Sequence, residues 1–201
     1  ANMNAKSYET LRKKSRGKFS MVKFAQLKAL AKNTVGRSDD FLLKQMEITI
    51  DIENQLDAKI DEIETQISEC IRGINPPILT IPGIGELTAA VILSEYGDIS
   101  RFEGPAQMLS FVGLEPGYYQ SGLSEHQGHM VKHGSTHLRY ALMNACLPLI
   151  TYEPVFAEYY AKKRAEGKPH RVALTHVAKK LLRVIYTLQT KNIAYDPALI
   201  R

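Results

Sequence analysis

The apolar positions along this chain recur mostly at helical intervals. From Met21 to Lys32 there is no Pro or Gly, and Phe24, Leu27 and Leu30 fall on one side. That pattern predicts a short basic helix ending near Gly36, with a face that docks on something. Ser38-Asp39-Asp40 supplies N-cap chemistry and first-turn acids for a second, longer helix. Between Asp39 and Arg72 Pro and Gly are again absent, and Leu56, Ile60, Ile63, Ile67 and Cys70 follow one another at spacings of 4, 3, 4 and 3. This is a heptad seam, extended more weakly by Leu42, Met46 and Thr49. A helix of about 34 residues is roughly 50 Å long and needs a partner helix, in the same chain or in a second copy. Gly73, Asn75, Pro76 and Pro77 close it.

Beyond that closure the helical period returns in shorter segments. Residues 86–95 read as a helix ended by Gly97-Asp98, and residues 104–112 as another, opened by Pro105 at its first position. Residues 113–135, rich in Gly, Ser and His, show little periodicity and read as a long loop with a hairpin whose tip is Gly117 to Gly122. Residues 136–151 resume a helix on Leu138, Ala141, Leu142, Ala145 and Cys146, with Pro148 and Pro154 bounding the next junction. Helices over 155–166 and 170–191 follow, the last with Val172, Leu174, Val177, Leu181, Leu182, Ile185 and Leu188 as its core face. The expected fold is all-α, or mostly so: a long coiled-coil-like helix, then a compact helical domain holding a tight glycine turn and a long polar loop. The expected segments are a cloning remnant at 1–5, a basic helical arm at 6–37, the acidic seam helix at 38–75 and the helical domain at 76–201.

Charge sharpens this division. Residues 1–37 hold ten Lys/Arg against one Glu, residues 38–71 two Lys against ten Asp/Glu, and residues 72–201 fourteen against ten. The overall net charge of +5 therefore hides a basic arm beside an acidic helix. A basic arm suits a polyanion, because each neutralised phosphate releases condensed counterions, but it equally suits the acidic helix that follows. At 44% apolar and 23% charged residues the 201-residue chain is ordinary for a globular protein, which excludes wholesale disorder. No stretch approaches about 18 consecutive apolar residues, and the polar start carries no signal peptide. Two cysteines, Cys70 and Cys146, are too few for a disulfide scaffold or a thiolate zinc site. The expected setting is cytoplasmic, with no membrane partner.

Two segments carry candidate chemistry. Ile81-Pro82-Gly83-Ile84-Gly85 before a small-residue helix has the form of a helix-hairpin-helix turn. Gly83 and Gly85 let the backbone approach a phosphate, and the N–H groups that open the helix bind it without reading bases. An ordinary tight turn between packed helices has the same sequence, and Glu86 sits where a cation would help. The second segment is Tyr118-Tyr119-Gln120-Ser121-Gly122-Leu123-Ser124, followed by His126, His129, Lys132, His133, His137 and Arg139. A serine nucleophile needs exposure and cations around the group it attacks. Ser121 in a polar loop meets the first need; Lys132 and Arg139 meet the second. Tyr118 and Tyr119 are the other candidate nucleophiles, although adjacent aromatics more often pack. The histidines are spaced 3, 4 and 4 apart but interrupted by Gly128 and Gly134, so phosphate contact suits them better than metal. No metal-binding residues are assigned. Paired carboxylates of a two-metal nuclease are not evident, and Asp98 reads as a cap or turn residue.

In order, Ile81-Pro82-Gly83-Ile84-Gly85, Gly97-Asp98-Ile99-Ser100-Arg101-Phe102, Met108-Leu109-Ser110-Phe111-Val112-Gly113-Leu114-Glu115-Pro116, Gln120-Ser121-Gly122 and Lys132-His133-Gly134-Ser135 with Leu138-Arg139 resemble a known family. That family is the C-terminal transposase domain of the IS110/IS116/IS902 insertion sequences, and the likeness is strongest over residues 76–150. The resemblance implies a recombinase of mobile-element DNA that works in a prokaryotic cell, at the nucleoid, as an oligomer with a guide RNA encoded by the element. It implies that Ser121 attacks the DNA backbone and forms a covalent intermediate. It also implies that an N-terminal RuvC-like domain, absent here, holds a divalent metal such as magnesium in an acidic cluster, while the seam at residues 42–70 pairs copies of the chain. On this reading the fragment has no cofactor of its own and does not recombine DNA alone. Gly83, Gly85, Lys132, His133 and Arg139 are the implied phosphate contacts. After the serine the chain carries Glu125, His126 and His129 where the family is richer in arginine, and Ser124 is the alternate nucleophile. Two other readings are a non-catalytic helix-hairpin-helix module that binds nucleic acid and a structural dimerisation domain.

Overall fold

A computed structural model describes residues 3–33, 39–121, 124–130 and 133–200. Among them the chain is predominantly helical, in two units that meet within one helix, Ala1–Asp57 and Ala58–Arg201. The first unit opens with α1 (Ala5–Lys14) and α2 (Met21–Lys32). Asn4, in the segment expected as a cloning remnant, caps α1: its side chain accepts from Ser7 N–H at 3.0 Å, and the Ser7 hydroxyl accepts in return from the Asn4 N–H. Phe24, buried on α2, packs on Tyr8 and Phe19, with ring centroids 5.4 and 6.5 Å away. Leu27 and Leu30 remain exposed, so the docking face expected on α2 is used at Phe24 alone.

Helix α3 (Asp40–Ile74) starts as the cap chemistry predicts, with Asp39 Oδ1 accepting from the Phe41 and Leu42 N–H groups at 2.9 and 3.4 Å. Helix α2 ends at Lys32 with Asn33 as its C-cap, before the end expected near Gly36; Gly36 and the cap residue Ser38 lie outside the described residues. Of the residues on α3 only Ile71 is buried. Leu42, Met46, Leu56, Ile60 and Ile63 are all exposed.

The second unit builds its core from the helices that follow. They are α4 (Glu86–Tyr96), α5 (Pro105–Val112), α6 (Thr136–Tyr152), α7 (Pro154–Ala165) and α8 (His170–Lys191). Helix α8 is the central element, packed by α5, α6 and α7, and α6 also receives α4. Their facing rows, including Ile92, Met108, Leu138, Leu142, Leu149, Phe156, Leu181, Leu182 and Ile185, form one buried cluster. These rows sit at the i, i+3, i+4 spacing read from the sequence, which is why the helix positions were predictable.

Two expectations need correction. Pro148 does not bound a junction: α6 runs through it to Tyr152. The break comes at Glu153, whose side chain accepts from Val155 N–H at 3.4 Å and so caps α7. The polar segment before α6 is not a loop throughout but an antiparallel hairpin of β1 (Pro116–Ser121) and β2 (Ser124–Met130). Its strands close at Ser121 and Ser124, so Gly117 lies in a strand and the expected tip at Gly117 to Gly122 is shifted towards its C-terminal end. Among the described residues no helix is long and apolar enough to cross a membrane.

Candidate functional site

The hairpin brings the two candidate serines together. Ser121 and Ser124 are register partners at the end of the ladder, followed towards its base by Gln120 with Glu125 and Tyr119 with His126. Partners across an antiparallel ladder hold their Cα atoms about 4.5–5.5 Å apart. The alternates thus share one rung of the ladder. Gly122, Leu123 and the implied phosphate contact Lys132 lie outside the described residues.

What fixes the hairpin to the body is built from residues on three helices. Arg139, on the first turn of α6, donates through Nη1 to the carbonyl oxygens of Val112 at 2.8 Å and Gly134 at 3.2 Å. Val112 ends α5 just before β1, and Gly134 comes just after β2. One guanidinium group therefore ties both legs of the hairpin. The legs also touch directly: a Cβ on Gly134 would overlap the Phe111 carbonyl oxygen and lie 2.7 Å from the Val112 carbonyl carbon. Only glycine fits that crossing. Next to it, Ser135 caps α6 by accepting from Leu138 N–H at 3.0 Å and donates to Glu95 of α4 at 2.5 Å. These contacts of Arg139, Gly134 and Glu95 join residues far apart in the chain, so no local sequence pattern signals them.

The glycine turn is the second part of the site. A single 3-10 turn, Pro77–Thr80, precedes it, and Gly85 is the N-cap of α4 without a side-chain cap. Gly83 has φ +87°, and a Cβ there would come within 3.1 Å of Pro148 Cβ and 3.3 Å of Leu149 N. Packing against α6 therefore accounts for glycine at this position by itself. Gly85 differs, being exposed with nothing within 4 Å of a Cβ. The carboxylate at the start of α4 is neutralised. Arg72 of α3 donates through Nε and Nη2 to both oxygens of Glu86, the second at 2.9 Å. That ion pair holds the Glu86 carboxyl below its ordinary range.

The remaining candidates are distributed around these two features. His133 and His137 are exposed on the return to α6. Asp98 acts as the cap the sequence suggested, accepting from Ser100 N–H at 2.9 Å and from its hydroxyl at 2.6 Å, and Ser100 lowers its pKa. Cys146 is buried in α6, and burial pushes its thiol up to about 12, whereas Cys70 on α3 is exposed. Among the described residues no three His, Cys, Asp or Glu side chains come close enough to hold a metal ion.

Comparison with known proteins gives a consistent result. Residues 75–161 match the profile of the Transposase IS116/IS110/IS902 family. The chain is 30% identical over 136 residues to the insertion element IS110 uncharacterized 43.6 kDa protein of Streptomyces coelicolor, an alignment covering 67% of this chain and 34% of that protein. It is 32% identical over 121 residues to the pilin gene-inverting protein of Moraxella bovis, covering 59% of this chain and 38% of the relative. A probable family 20 transposase of Pseudomonas aeruginosa is 24% identical over 147 residues, which is 71% of this chain and 44% of that protein. The aligned part thus spans between a third and a half of each relative.

Proposed function

We propose, from the premise that residues 75–161 belong to the Transposase IS116/IS110/IS902 family, that this chain is the DNA-handling and serine-bearing part of a transposase. The observation that carries the reading is the anchored hairpin. Ser121 and Ser124 close it, and Arg139 holds both of its legs. A nucleophile that must enter a DNA backbone gains from projecting on a ribbon whose base is fixed, because positioning is a large part of the rate.

The proposed chemistry is phosphodiester transesterification. Ser121 Oγ forms a bond to phosphorus, the bond from phosphorus to the sugar oxygen breaks, and the serine proton passes through a base to the departing oxygen. Lys132 and His133 would face the charge that builds on the non-bridging oxygens. For Arg139 the contacts favour a positioning role: its Nη1 is occupied by two carbonyl groups that flank the hairpin, Val112 before it and Gly134 after it. Gly85 and the uncapped start of α4 would take a backbone phosphate in the manner of a helix-hairpin-helix turn. Gly83 serves by letting that turn sit on Pro148. The divalent metal would be held outside the described residues.

The exposed seam on α3, from Leu42 to Cys70, is proposed to pair with a second copy as a coiled coil. An element-encoded RNA as a further partner, and work at the chromosome of a prokaryotic cell, rest on the family resemblance.

The test is covalent trapping with a transposase that contains this domain, its element ends and the element's RNA, resolved on a denaturing gel. Loss of the protein–DNA adduct in Ser121→Ala, with retained adduct in Ser124→Ala, is the expected result. An adduct that survives both substitutions removes the chemistry from this hairpin and leaves a binding module.

A further inference from the structure

A groove of about 650 Å³ runs between α6 and the N-terminal half of α8, lined by Thr136, Arg139, Tyr140, Asn144, Arg171 and Thr175 among others. Three features set it apart from a packing defect. Among the described residues its lining includes Arg139, His170 and Arg171 and no carboxylate. Tyr140 is 71% exposed on its rim, although a tyrosine normally covers apolar surface. Leu114 forms part of its wall, two residues before β1 begins at Pro116, so the groove opens where the hairpin leaves the body.

The charge continues along α8. Arg171, Thr175, Lys179 and Arg183 stand four residues apart and so share one face of the helix. Cations four apart repel one another and weaken a helix unless something neutralises them. Lys179 feels this directly, since partial burial and Arg183 both lower its pKa, with only Glu115 opposing. The row from Arg171 to Arg183 is about 18 Å long, the length of roughly five nucleotides of stacked strand.

We infer that the α6/α8 groove seats one unpaired DNA strand, with Tyr140 as the surface on which a base stacks and Arg171, Lys179 and Arg183 as the row that follows its phosphates. A basic track beside an exposed aromatic is the arrangement that binds single strands independently of sequence. A duplex keeps its bases stacked inside and offers Tyr140 nothing. The inference rests on the DNA-handling role proposed above and adds where, and in which form, the DNA lies: a strand in this groove is led towards the hairpin that carries Ser121.

The experiment uses the 201-residue chain and an oligothymidylate of about 15 nucleotides carrying 5-iododeoxyuridine. The strand should bind more tightly than its duplex, and light should attach it to the peptide containing Tyr140. Tyr140→Ala should weaken binding about tenfold, with Tyr140→Phe restoring most of it. Arg171→Gln with Lys179→Gln should lower the slope of log affinity against log salt by about 1.4. Adducts confined to other segments, together with unchanged binding by Tyr140→Ala, overturn the groove assignment and leave the DNA-handling proposal standing. Tighter binding of the duplex, or of the matching oligouridylate, overturns the unpaired DNA strand as the occupant. A wild-type chain that binds no nucleic acid even at low salt overturns the inference and the DNA-handling proposal together.

Discussion

Helices α3 and α8 both carry apolar rows of regular spacing, and they meet opposite fates. Nine of the 22 residues of α8 are buried, whereas α3 buries only Ile71 of its 35. Spacing decides which residues share a face; whether that face is covered depends on what the connections bring to it. Short connections fold α6 and α7 onto α8, and α5 packs on it from beyond the hairpin. Among the described residues, Leu42, Met46, Leu56, Ile60 and Ile63 along the seam of α3 stay open to solvent.

The largest test of this contrast is a pair of matched truncations. Leu182 is fully buried, so Leu182→Ala should cost about 2–5 kcal/mol in denaturant unfolding. Ile60 is 52% exposed, and Ile60→Ala should cost less than about 0.5 kcal/mol in dilute solution. Sedimentation equilibrium should show the second change acting instead on self-association. If Ile60→Ala proves as costly as Leu182→Ala at every protein concentration, the contrast between the helices collapses.

A smaller effect probes the same contrast at the scale of one carbon atom. Gly134→Ala forces a Cβ into the Phe111–Val112 backbone and should cost about 1–3 kcal/mol or more in the same assay. Gly85→Ala adds a Cβ into open space at an N-cap and should cost under about 1 kcal/mol. A reversed order would mean that the hairpin legs do not cross as described.

The smallest effect concerns the Arg72–Glu86 pair, which lies largely in solvent. Because the pair lowers the Glu86 pKa, its contribution is present above the ordinary carboxylate range and is lost as pH falls through the depressed value. The difference in Tm between wild type and Arg72→Gln should therefore shrink to nothing in acid. A difference that grows in acid would show that Arg72 acts through packing instead.

The helices were legible because their signals are local. The start of α2 and both bounds of α8 match the apolar and Pro/Gly pattern, Asp39 caps α3 from its own sequence neighbourhood, and Pro105 opens α5. Pro148 misled for an equally physical reason. Proline removes one helix hydrogen bond, yet α6 tolerates that loss near its end, where Gly83 packs against the ring. The candidate site was readable only in part. The serines announce themselves by residue type, but their meeting at one rung depends on strand register. Arg139 has the composition of a phosphate ligand, and only the fold puts two carbonyl groups against it. The groove beside Tyr140 joins residues from distant parts of the chain, so no single window of sequence contains it.

The unequal state of the two cysteines has a practical consequence. Cys146 is sealed in the core with its thiol pushed up to about 12, while Cys70 stands exposed at the end of the seam. A maleimide dye applied to the folded, unmutated chain will therefore mark one position only. That position lies on the face proposed to pair with a second copy, so energy transfer between identical dyes tests that assembly without any engineered residue.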